Sequence, residues 1–128
     1  LNRIFYVFLG GGAGSVARYL TALAAARLIS PVLPFGTLIV NLLGCFLISF
    51  IHTLAALGAR VSPDARLFLT TGVLGGFTTY SAFNHETLGW FEQGETARAV
   101  LYVAAMVAGC AGAGVLGIWS ARAMVGSV

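Results

Sequence analysis

The chain has 128 residues, 59% hydrophobic and 9% charged, and its mean hydropathy of +0.93 excludes an ordinary soluble fold with a polar surface. Its net charge of +3 comes from seven arginines set against four acids; these are scattered without a basic face or run, which excludes nucleic acid as a partner and points to membrane flanks. A bilayer core of about 30 Å takes roughly 20 helical residues per crossing, so this length holds about four crossings and no soluble domain.

The first apolar segment covers residues 4–29. Arg3 precedes it as in a signal peptide, but no convincing cleavage site follows and the segment runs on past Arg18, so it reads as a mature crossing. Gly10 and Gly14 stand four apart, the spacing that lets helix backbones approach closely in lipid. Arg18 follows one turn later, too deep to snorkel, and an intramembrane cation is a functional candidate by default. It either pairs with Glu86, the only acid away from the loops, or lends positive potential to the mouth of an anion path. A salt bridge that only holds helices together is the structural alternative.

Residues 30–34, with Pro31 and Pro34, lead into the second segment, residues 35–57. There Thr37 and Asn41 lie one turn apart on one face. An amide in mid-membrane must find partners, so Asn41 either lines a polar track or glues the bundle by an interhelical hydrogen bond. Ser62, Pro63 and Asp64 then form a helix start, with Ser62 as N-cap and proline in the first turn.

The third segment, residues 65–91, carries Gly72-Val73-Leu74-Gly75-Gly76-Phe77-Thr78-Thr79-Tyr80-Ser81-Ala82-Phe83. Paired glycines and a run of hydroxyls make a poor continuous helix. Backbone groups freed at a break cannot face lipid and must be paired within protein or line a cavity or ion site. A glycine kink held by threonine hydroxyls bonding back to the chain is the simpler alternative. Tyr80 and Phe83 share a face directly after the break. Aromatic ring edges carry partial positive charge, and weak, numerous donors replace an anion's hydration shell without trapping it.

After a solvated turn at Glu92 and Glu95, the fourth segment spans residues 97–124, with small residues at Ala105, Gly109, Ala113, Gly117 and Ala121. This ladder serves packing within the chain or a subunit interface. Arg3, Arg60, Arg66 and Arg122 fall on one side of the membrane and Arg27 and Arg98 on the other, a weak bias that permits insertion in both orientations. Four crossings hold no wide conduit, so a transport path calls for an oligomer. Cys45 and Cys110 indicate neither a disulfide framework nor a zinc site. His52 and His85 stand alone without a second ligand in register. Tyr6, Trp90 and Trp119 read as interface anchors.

Gly10-xxx-Gly14-xxx-Arg18, Gly36-Thr37-Leu38-Ile39-Val40-Asn41, and Gly75-Gly76-Phe77-Thr78-Thr79-Tyr80-Ser81-Ala82-Phe83 followed by Glu86 together resemble the Fluc (CrcB) fluoride channels. The resemblance covers all four segments in order. It implies an all-α integral membrane fold of four transmembrane helices, the third broken mid-membrane, assembled as an antiparallel dual-topology homodimer. It further implies two fluoride pores per dimer, passive export of cytoplasmic fluoride, fluoride resistance and a place in the cell inner (plasma) membrane. By position, the family's structural sodium ion falls to the backbone carbonyls of Gly75 and Thr78 of both copies. The pore aromatics fall on Tyr80 and Phe83, the pore asparagine on Asn41, and the polar-track threonine on Thr37, with Thr79 and Ser81 extending the polar region. Arg18 and Glu86 match the vestibule arginine and the glutamate of the third segment.

Three departures stand out. Tyr80 replaces the usual phenylalanine, and Ala82 replaces a common hydroxyl residue. In the fourth segment Tyr102 matches the pore tyrosine, but the hydroxyls expected at one, two and three further turns are Met106, Cys110 and Gly114. Two other readings compete: a small dual-topology proton-coupled multidrug exporter, which needs a carboxylate in a first segment that has none, and a membrane subunit that depends on a different partner. No enzyme reading survives, since no nucleophile–base or metal cluster has workable spacing.

Overall fold

The computed structural model describes residues 2–59 and 61–126; Arg60, one of the orientation charges, lies outside the described residues. The described chain is helical throughout, and every connection follows from a local signal. Helix α1 (Asn2–Leu28) gives way at Ser30, whose hydroxyl accepts from the amides of Val32 and Leu33 at 3.2 and 3.4 Å. Helix α2 (Phe35–Ala56) starts directly after Pro34 and ends in a Schellman motif. Gly58 takes φ +85°, its N–H reaches Ala55 O, and the Ala59 N–H reaches Leu54 O at 3.1 Å. Only glycine enters that left-handed region without strain, so it closes the helix. The same pattern recurs at Gly94 (φ +77°), where the Glu95 N–H reaches Trp90 O at 2.8 Å.

The third crossing is built from four pieces. Helix α3 (Pro63–Leu67) begins as expected: Ser62 accepts from the Ala65 N–H at 3.1 Å, and Pro63 occupies the first turn. A π-helical stretch, Phe68–Leu74, follows, then the single turn α4 (Gly75–Phe77). Thr78 (φ −81°, ψ 157°) and Thr79 (φ −153°, ψ 113°) are extended, and α5 (Tyr80–Glu92) resumes the helix. The last helix, α6 (Thr96–Gly126), has 31 residues, about 46 Å at the α-helical rise and more than a bilayer core requires. Two helices among the described residues, α2 and α6, are each long and apolar enough to cross alone; α1, long enough but less apolar, and the broken third segment do not meet that mark.

Helix α2 packs chiefly on α6, and α1 on residues 68–77. Lipid supplies no hydrophobic drive between helices, so close backbone contact through small residues carries the packing. A Cβ on Gly14 would run into the Val73 carbonyl and the Phe77 amide nitrogen, and one on Gly117 into the Phe46 carbonyl. The glycines of both ladders therefore serve contacts within the chain, while Ala105 stays exposed. Arg3 pairs with Asp64 at 3.4 Å, which fixes the starts of α1 and α3 at one end. With both side chains more than half exposed, that pair contributes about 0–1 kcal/mol.

Candidate functional site

The extended Thr78–Thr79 step removes a turn of helical hydrogen bonding in the middle of the crossing. Asn41 of α2 restores much of it. Its Oδ1 accepts from the Thr79 N–H at 2.8 Å and its Nδ2 donates to the Thr79 carbonyl at 3.0 Å, so one carboxamide grips both ends of one residue as a strand neighbour would. Asn41 is 9% exposed, and a buried peptide left unpaired here would cost about 1–3 kcal/mol per group. The second Nδ2 hydrogen points to Met106 Sδ at 3.6 Å, a weak acceptor. Thr79 in turn caps α5, its hydroxyl accepting from the Ala82 N–H at 3.2 Å and lying 3.2 Å from Ser81 Oγ.

The capture of these two amides has a consequence for the carbonyls one turn back. In a continuous helix the Thr79 N–H would reach Gly75 and the Ala82 N–H would reach Thr78. Both amides are taken, by Asn41 and by the Thr79 hydroxyl. The carbonyl oxygens of Gly75 and Thr78 are thus left without their helical donors, with Gly75 exposed and Thr78 half-buried. Two hard oxygen donors of this kind fit the chemistry of a hard cation.

One and a half turns into α5, Glu86 accepts two hydroxyls. Thr37 donates to its Oε1 at 2.6 Å and Tyr102 to its Oε2 at 2.8 Å. The pairing of Glu86 with Arg18 does not form: the ion pairs among the described residues are Arg3 with Asp64 and Arg98 with Glu95. Arg18 and Glu86 instead line one cavity of about 360 Å³, with Ser15, Thr37 and Thr79 also on its wall. Short hydroxyl donors from α2 and α6 reach the carboxylate directly, and Arg18, half-buried, lines the cavity outside the ion pairs among the described residues.

Beyond Glu86 the aromatic rings form a row. Tyr80 meets Phe83 edge-on at 5.6 Å, Phe83 meets Tyr102 at 5.3 Å, and Trp90 meets Tyr102 at 5.2 Å. Phe83 and Tyr102 are buried, whereas Tyr80 is 76% exposed. Trp90, read from sequence as an interface anchor, belongs to this row and carries the Arg98 guanidinium 5.8 Å above its ring. On the other side of Phe83 a cavity of about 420 Å³ runs along Asn41, Cys45, Thr78, Met106 and Cys110.

The structure thus gathers Thr37, Asn41, Thr79, Phe83, Glu86 and Tyr102 around the break, with Tyr80 and Ser81 on the exposed side and Arg18 across the cavity. Sequence reasoning missed the neighbours of the sulfur residues. Cys45 lines the same cavity as Met106 and Cys110, and a Cβ on Gly114 would meet Ser49 Oγ at 3.2 Å. The signal was present: Thr37, Asn41, Cys45 and Ser49 recur every fourth residue along α2, so a polar edge continues on α2 where α6 lacks hydroxyls.

Comparison with known proteins shows the family to which the sequence is similar. Residues 5–118 match the family described as CrcB-like protein, Camphor Resistance (CrcB). Proteins called fluoride-specific ion channel FluC are similar over nearly the whole length. The one from Anaeromyxobacter sp. (strain K) is 52% identical over 86% of this chain and 87% of its own. That from Sorangium cellulosum is 42% identical over 98% of both chains, and that from Chlorobaculum tepidum 51% identical over 85% and 86%.

Proposed function

The chain belongs to the CrcB family of fluoride channels, and from that premise we propose that it conducts fluoride passively and selectively out of the cell as an antiparallel homodimer. It is a multi-pass protein of the plasma membrane and, as a member of a channel family, not an enzyme. The observation that carries the proposal is the convergence, on one interruption of a membrane helix, of hydroxyl, amide and ring-edge donors from α2, α5 and α6.

Each group has a definable task. Arg18, on the wall of its cavity and outside the ion pairs among the described residues, raises the local concentration of anions at the vestibule. Thr37 and Tyr102 hold hydroxyl protons that Glu86 binds at rest and that a passing anion shares. Asn41 keeps one N–H on Thr79 and offers the other, since its contact with Met106 Sδ is long; an anion is the stronger acceptor and displaces the sulfur. Phe83 and Tyr80 present ring edges, and Thr79 and Ser81 add hydroxyls. All are weak enough, singly, to release the ion.

Two features favour assembly with an inverted copy over its whole transmembrane unit, residues 1–128. Tyr80 projects from the chain at 76% exposure, and Gly75 and Thr78, whose carbonyls lack their helical donors, line the same cavity as Tyr80. Paired copies would close two equivalent paths and bring four carbonyls around one sodium ion, which supplies fixed positive charge between the copies. The test is fluoride-electrode efflux from liposomes loaded with fluoride, set against the same assay with chloride. Fluoride efflux without chloride efflux is expected. No efflux from verified dimers, or equal efflux of both halides, overturns the proposal and favours a partner-dependent subunit or another substrate.

A further inference from the structure

On the wall of the 420 Å³ cavity stand three sulfur atoms from two helices: Cys45 on α2, and Met106 and Cys110 one turn apart on α6. Cys110 Sγ lies 3.8 Å from Met106 Sδ, and Cys45 lines the same cavity from the facing helix. Met106 is 5% exposed and both cysteines are half-buried and free. Among the described residues no cluster of three histidines, cysteines or carboxylates exists, and this cavity wall carries no histidine or carboxylate to compete for a metal. Two thiols and a thioether are the donors that select soft, filled-shell cations.

We propose that Cys45, Met106 and Cys110 form a binding site for a monovalent thiophilic d10 cation of the Cu⁺ or Ag⁺ class. The spacing on α6 suits a cation held between two sulfurs, with Cys45 on the same wall as the third donor. Metal–sulfur bonds of about 2.3 Å set at 120° hold their sulfurs about 4.0 Å apart, and the Cys110–Met106 pair already stands at 3.8 Å. Charge balance supports a monovalent ion. One S–H bond breaks, its proton leaves to water, and a metal–thiolate bond forms while the second thiol and the thioether donate as neutral ligands. The complex is then electrically neutral, which a low-dielectric wall favours over a net charge. The metal keeps its oxidation state, so no oxidant or reductant is needed. This site is independent of whether fluoride passes through the cavity, although a cation bound there would sit beside Asn41, whose Nδ2 also contacts Met106 Sδ.

Silver ion is the probe, because it is stable as Ag⁺ in nitrate buffer. The purified protein is titrated with silver nitrate, excess metal is removed, and silver per chain and released protons are counted. One silver ion and one proton per chain are expected. Cys45→Ser and Cys110→Ser, each nearly isosteric, should weaken binding at least tenfold. Met106→Leu, which keeps core volume, should weaken it several-fold with both thiols intact. Two silver ions per chain bound independently, or unchanged affinity in Cys45→Ser protein that elutes like the parent, overturns the site. Because the readout is metal and protons, failure of fluoride conduction is recognised separately.

Discussion

Replacing Asn41 by aspartate separates the two tasks that the structure assigns to this side chain. The Thr79 N–H, now 2.8 Å from Oδ1, keeps its acceptor and gains a charge-assisted bond. The Thr79 carbonyl loses the Nδ2 donor at 3.0 Å and faces a carboxylate oxygen, a loss of about 1–3 kcal/mol for a buried unpaired group. The stronger bond on the other side offsets part of this, so the variant is expected to fold with a lowered melting temperature. Conduction should fall much further. A fluoride ion about 4 Å from the new charge is repelled by about 4 kcal/mol at an effective dielectric constant near 20. At about 1.4 kcal/mol per tenfold, that amounts to roughly a thousandfold slower efflux. Liposome efflux on protein matched for incorporation, with thermal unfolding measured in parallel, checks both figures. Asn41→Asp protein that elutes as the parent does and conducts within tenfold of it would remove Asn41 from the ion path and leave it as a clamp alone.

Phe83→Ile removes the ring edges that meet Tyr80 and Tyr102. Aromatic pairs are worth about 0.5–1.5 kcal/mol each, so the variant should still fold, with fluoride efflux reduced at least tenfold; an unchanged rate would make the ring a packing element only. Gly14→Ala places a methyl against the Val73 carbonyl and Phe77 nitrogen and should cost about 1–3 kcal/mol. Gly12→Ala, which meets nothing within 4 Å, should be neutral or stabilising by about 0.5–1 kcal/mol as alanine replaces glycine in a helix. Thermal unfolding of the two variants side by side decides this, and equal melting temperatures would refute the close α1 contact. If the Gly75 and Thr78 carbonyls bind sodium, the melting temperature should rise with sodium but not with N-methylglucamine. At a hundredfold excess over the dissociation constant the gain is about 2.7 kcal/mol, and a flat response would leave those carbonyls without a cation.

Much of the architecture was legible because its causes are local. Ser62 before Pro63 forecast a capped helix start, and the paired glycines with Thr78 and Thr79 forecast a broken third crossing; both appear within a few residues of where the sequence placed them. The π-helical form of Phe68–Leu74 was not legible, since Thr70, Thr71, Gly72 and Val73 weaken a regular helix without specifying what replaces it. The hydroxyl contacts of Glu86 were equally hidden. Sequence offered Arg18 as its partner because opposite charges attract at any distance on paper, whereas Thr37 and Tyr102 are the groups that the helix rotations bring within 2.6 and 2.8 Å.

Composition alone set the solvent, since a chain with 9% charged residues cannot cover itself with polar groups and must satisfy its backbone internally. The same requirement dictated that a break at Thr78–Thr79 needs outside partners, without saying which. Tertiary structure chose them. The rotation of α2 aims Asn41 at the Thr79 peptide, and the packing of α2 on α6 sets Cys45 beside Cys110 and Met106 on one cavity wall. Helical periodicity says which residues share a face; only the register between helices, fixed by glycines such as Gly14 and Gly117, says which faces meet.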